Sequence, residues 1–201
     1  MNSYATPLRI LLALSFVLSA TACSDLLKSD RPVDRTWWLE PLEPQSGATT
    51  PAAPLGVELS VVPGLDSRRI LTLSPEGQLS HYAGANWPDN LPEFLGSLVV
   101  RSLQASGRFE RVAPVRTGGA DACRLHLEAR KFYARLDADR QTRSVEIELA
   151  GRLDCADESR PVDAAASVPV SGNHMPTVVA AYQQGLDQAM AALLQQVAPP
   201  G

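Results

Sequence analysis

Long apolar runs are scarce in this chain. After Ile10–Ala20 no stretch approaches the ~18 consecutive apolar residues of a membrane-spanning helix, and that first run is itself too short. Basic residues are not in excess: 18 Lys and Arg face 22 Asp and Glu, a formal net charge of −4, a balance that argues against a nucleic-acid partner. Histidine is sparse. His81, His126 and His174 fall on different predicted elements, and none has Cys, Asp or Glu at metal-ligand spacing, so no metal or other cofactor is expected. The G-x-S-x-G elbow, the P-loop and G-x-G-x-x-G are missing as well. Glu146, Glu148 and Asp154 alternate along one strand face, a pattern that fits a solvated surface facing Arg124 and Arg130 better than a carboxylate site. Nothing here argues for an enzyme.

Cysteine is also rare, and the position of each one carries information. Ala20-Thr21-Ala22-Cys23 resembles a bacterial lipobox: Arg9 supplies a thin positive start, Ile10–Ala20 an apolar segment of signal-peptide length, and Thr21-Ala22 the small residues before a cut. The alternative is an ordinary secretory signal with a cysteine nearby, and Ala20 stands where Leu is usual. On the lipobox reading residues 1–22 are a signal peptide, Cys23 is the acylated N-terminus and residues 23–35 are a linker. Several acyl chains such as palmitate, at about 0.8 kcal/mol per buried methylene, make that attachment effectively permanent. Removal of residues 1–22 takes away Arg9 and leaves 17 basic against 22 acidic side chains. Asp directly after the acylated cysteine retains lipoproteins at the inner membrane. Here Ser24 holds that place, which implies the periplasmic face of the outer membrane.

Cys123 and Cys155 remain as an even pair in an oxidising compartment, or else as two unrelated buried thiols. Cys123, Leu125, Leu127 and Ala129 alternate with polar residues, and so do Val145, Ile147, Leu149, Gly151, Leu153 and Cys155. Folded as a hairpin about Asp139, Leu125 meets Leu153, Leu127 meets Gly151, Ala129 meets Leu149, and Cys123 faces Cys155. A slip of one residue turns an apolar face to solvent. Directly opposed residues lie within disulfide range, and closing a loop of about 30 residues stabilises by roughly 3 to 4 kcal/mol on the chain-entropy model.

The remaining elements follow the same logic. Thr36–Pro41 reads as a short aromatic strand, followed by a Pro-rich connection to Pro54, and Leu55–Val62 alternates as a half-buried strand. Arg69–Leu73 and Gln78–Tyr82 flank a turn at Pro75-Glu76-Gly77. Asp89 or Asn90 opens a helix with its apolar stripe at Leu91, Phe94, Leu95, Leu98, Val99 and Leu103. Phe109–Val115 reads as a strand, and Val162–Val170 as another that Pro169 confines to an edge or bulge. Pro176 starts a helix running to Val197. The fold class expected is α+β over residues 36–198: an antiparallel sheet with a long central hairpin, covered by two main helices.

Together these pieces resemble the ABC-type transport auxiliary lipoprotein family. The resemblance is carried by Cys23, Trp38-Leu39-Glu40-Pro41, Val61-Val62-Pro63-Gly64-Leu65-Asp66, Trp87 before Leu91–Gly107, Arg108–Val112, Leu125-x-Leu127 and the C-terminal helix. It implies a non-enzymatic outer-membrane component of an MCE-type ABC lipid transport system. Its implied partners are an MCE-domain protein, an ABC transporter permease complex and the outer membrane through the lipid anchor, with self-association as a further expectation. A periplasmic lipid- or solute-binding module that carries cargo itself is the competing reading. Trp37, Trp38 and Leu39 are candidates for a partner-facing edge, unless their side chains simply fill the core.

Overall fold

The computed structural model describes residues 33–43, 53–115, 122–156 and 158–197. In chain order the elements are β1 (Arg35–Thr36), β2 (Leu55–Val61), β3 (Arg69–Leu73), β4 (Leu79–Asn86), α1 (Leu91–Ala105), β5 (Val112–Pro114), β6 (Cys123–Leu136), β7 (Thr142–Cys155), β8 (Glu158–Pro169) and α2 (Met175–Gln196). The fold is α+β, with all eight strands in one sheet.

That sheet is mixed, which corrects the antiparallel expectation. β3·β4, β6·β7 and β7·β8 are antiparallel, whereas β1·β4, β2·β5, β2·β6 and β3·β6 are parallel. A strand with one buried face shows the same alternation whichever way its neighbour runs, so the residue pattern fixes faces and not directions. β6 is the axis. One of its edges pairs with β7 along nearly its whole length. The other is shared in succession, residues Cys123–Ala129 by β2 and Ala134–Arg135 by β3.

In the β6–β7 pair Cys123 lies opposite Cys155, Leu125 opposite Leu153, Leu127 opposite Gly151 and Ala129 opposite Leu149. The two cysteines form a disulfide with Cα atoms 4.2 Å apart. Past Ala129 the register shifts by one residue, so that Lys131 faces Glu148 and Phe132 faces Ile147. The cause is legible in the residues: strict alternation would point Lys131 and Tyr133 into the core. An extra residue, Arg130, reverses the phase so that Phe132 and Ala134 are buried in line with Leu125, Leu127 and Ala129. The hairpin closes through Asp137–Gln141, where Arg140 takes a left-handed φ of 59°.

Both helices cover the apolar face. α1 packs over β2 and β5, and α2 over β7 and β8. They meet around Trp87, which is 1% exposed. Its ring stacks on Phe94 of α1 at 5.4 Å and meets Phe132 of β6 and Tyr182 of α2 edge-on at 5.7 and 5.1 Å. Each such pair adds about 0.5–1.5 kcal/mol beyond its buried area, which makes this cluster the joint between the layers.

The free edges differ from one another. In β8 the even positions point to β7, as the Val170 N–H to Arg143 O bond shows, and the odd positions point outward. Pro161 and Pro169 occupy odd positions and have no N–H to offer, and Gln196 of α2 occupies both backbone groups of Asp163. In β2 the odd positions point away from β6: Leu55 N–H donates to Arg111 O, and Val57 O accepts from Val115 N–H. The described part of this pairing ends there, with Val57 beside Pro114.

Candidate docking surface

Of the expected Thr36–Pro41 strand only Thr36 lies in the sheet, as the second residue of β1 beside Ala85 and Asn86. From Trp37 onward the chain becomes a strap tied to both helices. Gln183 of α2 forks onto it, accepting from Glu40 N–H at 2.8 Å and donating to Glu40 O at 3.0 Å, and Leu42 N–H donates to Ser102 Oγ of α1 at 2.9 Å. Pro41 cannot supply a ladder donor, so side chains hold the strap where a neighbouring strand otherwise would. Leu39 is pressed into the core and is 1% exposed. Trp37 is half-buried, and its indole N–H has no hydrogen-bond partner among the described residues. Of the three candidate contact residues only Trp38 faces outward, 53% exposed, with its ring edge-on to Phe94 and the Arg101 guanidinium 5.9 Å from its centre. Cys23 lies outside the described residues.

Arg101 also stands at the rim of an open, mainly apolar groove of about 410 Å³ between α1 and the outer edge of β2. Its walls include Val57 and Leu59 of β2, Pro114 of β5, and Gly96 and Val100 of α1. Gly96 is unexpected in mid-helix, where glycine is less favourable than alanine by about 0.8–1 kcal/mol. Packing does not require it: a Cβ there would meet only Leu59 Cβ, at an ordinary 3.8 Å. Its effect is to leave the groove wide.

The opposite face of the sheet is charged and partly exposed. His126 contacts Glu58 at 2.8 Å, and Asp154 lies 2.9 Å from Arg152 and 3.6 Å from His126. The Ser159 hydroxyl, with Arg152 second, holds the Asp154 carboxyl below the usual range. Lys131 meets Glu148 at 2.7 Å, and that bond raises the ammonium pKa. Glu146 accepts from Ser144 and Ser167. Exposed pairs like these contribute little each. Burial raises the pKa of Tyr182, whose hydroxyl donates to Leu71 O at 3.3 Å, and of Tyr82, which bonds Thr142. The histidines are apart, His81 on Arg69 and His174 on Thr177. Among the described residues no group of three His, Cys, Asp or Glu is placed to hold a metal, and no helix is long and apolar enough to cross a membrane.

The family model for the ABC-type transport auxiliary lipoprotein component matches residues 39–194. The chain belongs to this family. Its role is therefore that of an auxiliary component of an ABC-type transport system, and membership implies an anchored place in the cell envelope. No curated protein matches the chain. Among solved structures, protein XCC0632 from Xanthomonas campestris, of the DUF330 family, is 24% identical with a TM-score of 0.64, over 81% of this chain and 92% of its own. An uncharacterized protein is 18% identical with a TM-score of 0.65, over 82% and 99%. At these identities the likeness shows the fold.

Sequence reasoning missed the groove and the two glutamine forks at Gln183 and Gln196. The groove had one signal, Gly96 on the apolar side of an otherwise strong helix. The forks had none, because a glutamine that grips a distant backbone looks like any surface glutamine.

Proposed function

We propose that the chain is the outer-membrane docking component of an MCE-type ABC lipid transport system, tethered by acylated Cys23 and meeting a periplasm-spanning partner through its surface. The observation that carries this is Trp38: an exposed tryptophan braced by Phe94 and Arg101, on the strap that follows the linker. Aromatic residues flanked by arginine are the side chains enriched at interface hot spots. The charged groups of the sheet's outer face are paired in the open, where a catalytic group would sit in a cleft. Self-association and the permease complex belong to the same reading as further partners.

A photocrosslinking residue in place of Trp38, in cells, tests it. Capture of an MCE-domain protein is expected. Capture of extractable lipid alone supports the cargo-carrier reading, which the apolar groove beside Trp38 favours, and refutes docking. Cys23→Ser is expected to leave membrane fractions with the domain folded, whereas Ser24→Asp shifts an acylated chain toward the inner membrane. Retention of Cys23→Ser in the outer membrane would refute the anchor.

A further inference from the structure

An open, polar depression of about 300 Å³ lies where β3 meets β4, and Asp34, Arg68, Arg69 and His81 stand in its wall. A break in the ladder makes room for it. Between the pairs Arg69–Asn86 and Leu71–His81 the single residue Ile70 faces Tyr82–Ala85 of β4, and Gly84 admits the excess with a left-handed φ of 67°. Charge is held differently here from the sheet's outer face, where Arg130, Lys131 and Arg152 each lie against a carboxylate, Glu128, Glu148 and Asp154. The Arg69 guanidinium donates instead to His81, with Nη1 2.8 Å from Nε2. Arginine keeps its proton, so the imidazole nitrogen accepts, and the contact fixes the guanidinium in place without cancelling its positive charge. Arg68 stands beside it. Among the described lining residues the one carboxylate is Asp34. Two guanidiniums in a polar depression match the oxygens of a phosphate, whereas an acyl chain gains nothing from such walls.

Place in the chain selects the source of that phosphate. Asp34 follows Cys23 by eleven residues, and a chain spans at most about 3.3–3.6 Å per residue, so acylation of Cys23 holds this wall within about 40 Å of a bilayer. Within that radius headgroup phosphates form a dense anionic surface, and the tether makes even a weak contact intramolecular. We infer that Arg68 and Arg69 form a headgroup-phosphate site that lays this corner of the domain on the bilayer carrying the anchor. For the bilayer the inference rests on the anchor reading above; phosphate recognition by the two arginines stands separately.

The test is sedimentation with vesicles of phosphatidylethanolamine and phosphatidylglycerol, using the full mature chain with Cys23→Ser so that no acyl chain contributes. Arg68→Gln combined with Arg69→Gln is expected to weaken binding about 25-fold, at about fivefold for each charge near an anionic surface. Arg130→Gln combined with Arg152→Gln removes the same charge elsewhere and is expected to change it less than about twofold. All four side chains are exposed, and wild-type melting is checked in both variants. Equal loss in the two variants reduces the effect to overall charge and overturns the site, as does an unchanged partition in the first. Two arms need neither variant: a chain that fails to bind the vesicles, or binding that survives about 0.5 M salt, overturns it as well. Displacement from the vesicles by millimolar glycerol phosphate assigns the arginines to a soluble phosphate, and tighter binding to polyglutamate assigns them to an acidic partner; each overturns the bilayer contact. Mass spectrometry of the chain from cells separates the two readings. Acylated Cys23 without vesicle binding removes this site and leaves the anchor, whereas unmodified Cys23 beside vesicle binding that needs both arginines removes the anchor and leaves the site.

Discussion

Along β8 the outward backbone positions run from Pro161 through Asp163, Ala165 and Ser167 to Pro169; along β2 past Val57 they are Leu59 and Val61. The first series is closed at both ends by proline and near the middle by the Gln196 fork. Among the described residues the second shows neither, and it borders an apolar groove that a mid-helix glycine keeps wide. An unprotected edge invites unwanted pairing, and β8 is guarded against it three times over. The difference teaches that protection of the sheet is local: two prolines and one glutamine guard β8, while the very short β1 and β5 blunt other margins.

The comparison breaks first where both edges hang from the central hairpin. A Cβ at Gly151 would lie 1.8 Å from His126 O, so Gly151→Ala forces β6 and β7 apart. A loss of more than about 3 kcal/mol is expected in denaturant melts, in the class of severe overpacking, and both edges are lost with it. Replacing Cys123 and Cys155 with Ala releases a cross-link spanning 32 residues and is expected to cost roughly 3–4 kcal/mol, read as a lowered melting temperature that reductant no longer changes. Gln196→Ala acts on β8 alone. Two exposed hydrogen bonds at about 0.5–1 kcal/mol each predict a drop of about 1–2 kcal/mol, with faster amide exchange at Asp163 and, at high concentration, new self-association. Gly96→Ala reverses the sign: alanine improves α1 by about 0.5–1 kcal/mol and narrows the groove, so the protein becomes more stable while any groove-dependent binding weakens. Unchanged stability in this last variant would mean that Gly96 relieves a strain the static contacts do not show.

How much of this was legible in the residues depends on which interaction decides each feature. The pairing of Cys123 with Cys155 follows from two alternating faces that only one register can bury together, and the structure has that register up to Ala129. Beyond it the hairpin slips by one, because the apolar phase of Phe132 and Ala134 is opposite to that of Leu125 and Leu127. The helices were readable from their apolar spacing, from Asp89 or Asn90 ahead of the first and from Pro176 in the first turn of the second. Strand direction was not. Four pairings are parallel, and each joins segments whose contact is set by distant chain, not by neighbouring turn residues. Trp37-Trp38-Leu39 looked like a strand because its residues favour one; two side chains from separate helices, Gln183 and Ser102, turn it into a strap, and no local pattern announces them.

β6 has a consequence for the order in which the protein can assemble. β2 and β3 both wait for it, and Leu55 meets Cys123 only after the whole stretch between them has been made. The chain is made N-terminus first, so these two apolar strands precede the strand that completes them. Loop closure over such distances is slow, and the exposed edges in the interval are prone to the wrong partner. The hairpin β6–β7, in contrast, needs only its own five-residue turn, Asp137–Gln141, and can template the earlier strands once formed. Assembly is thus paced by arrival of the second half of the chain.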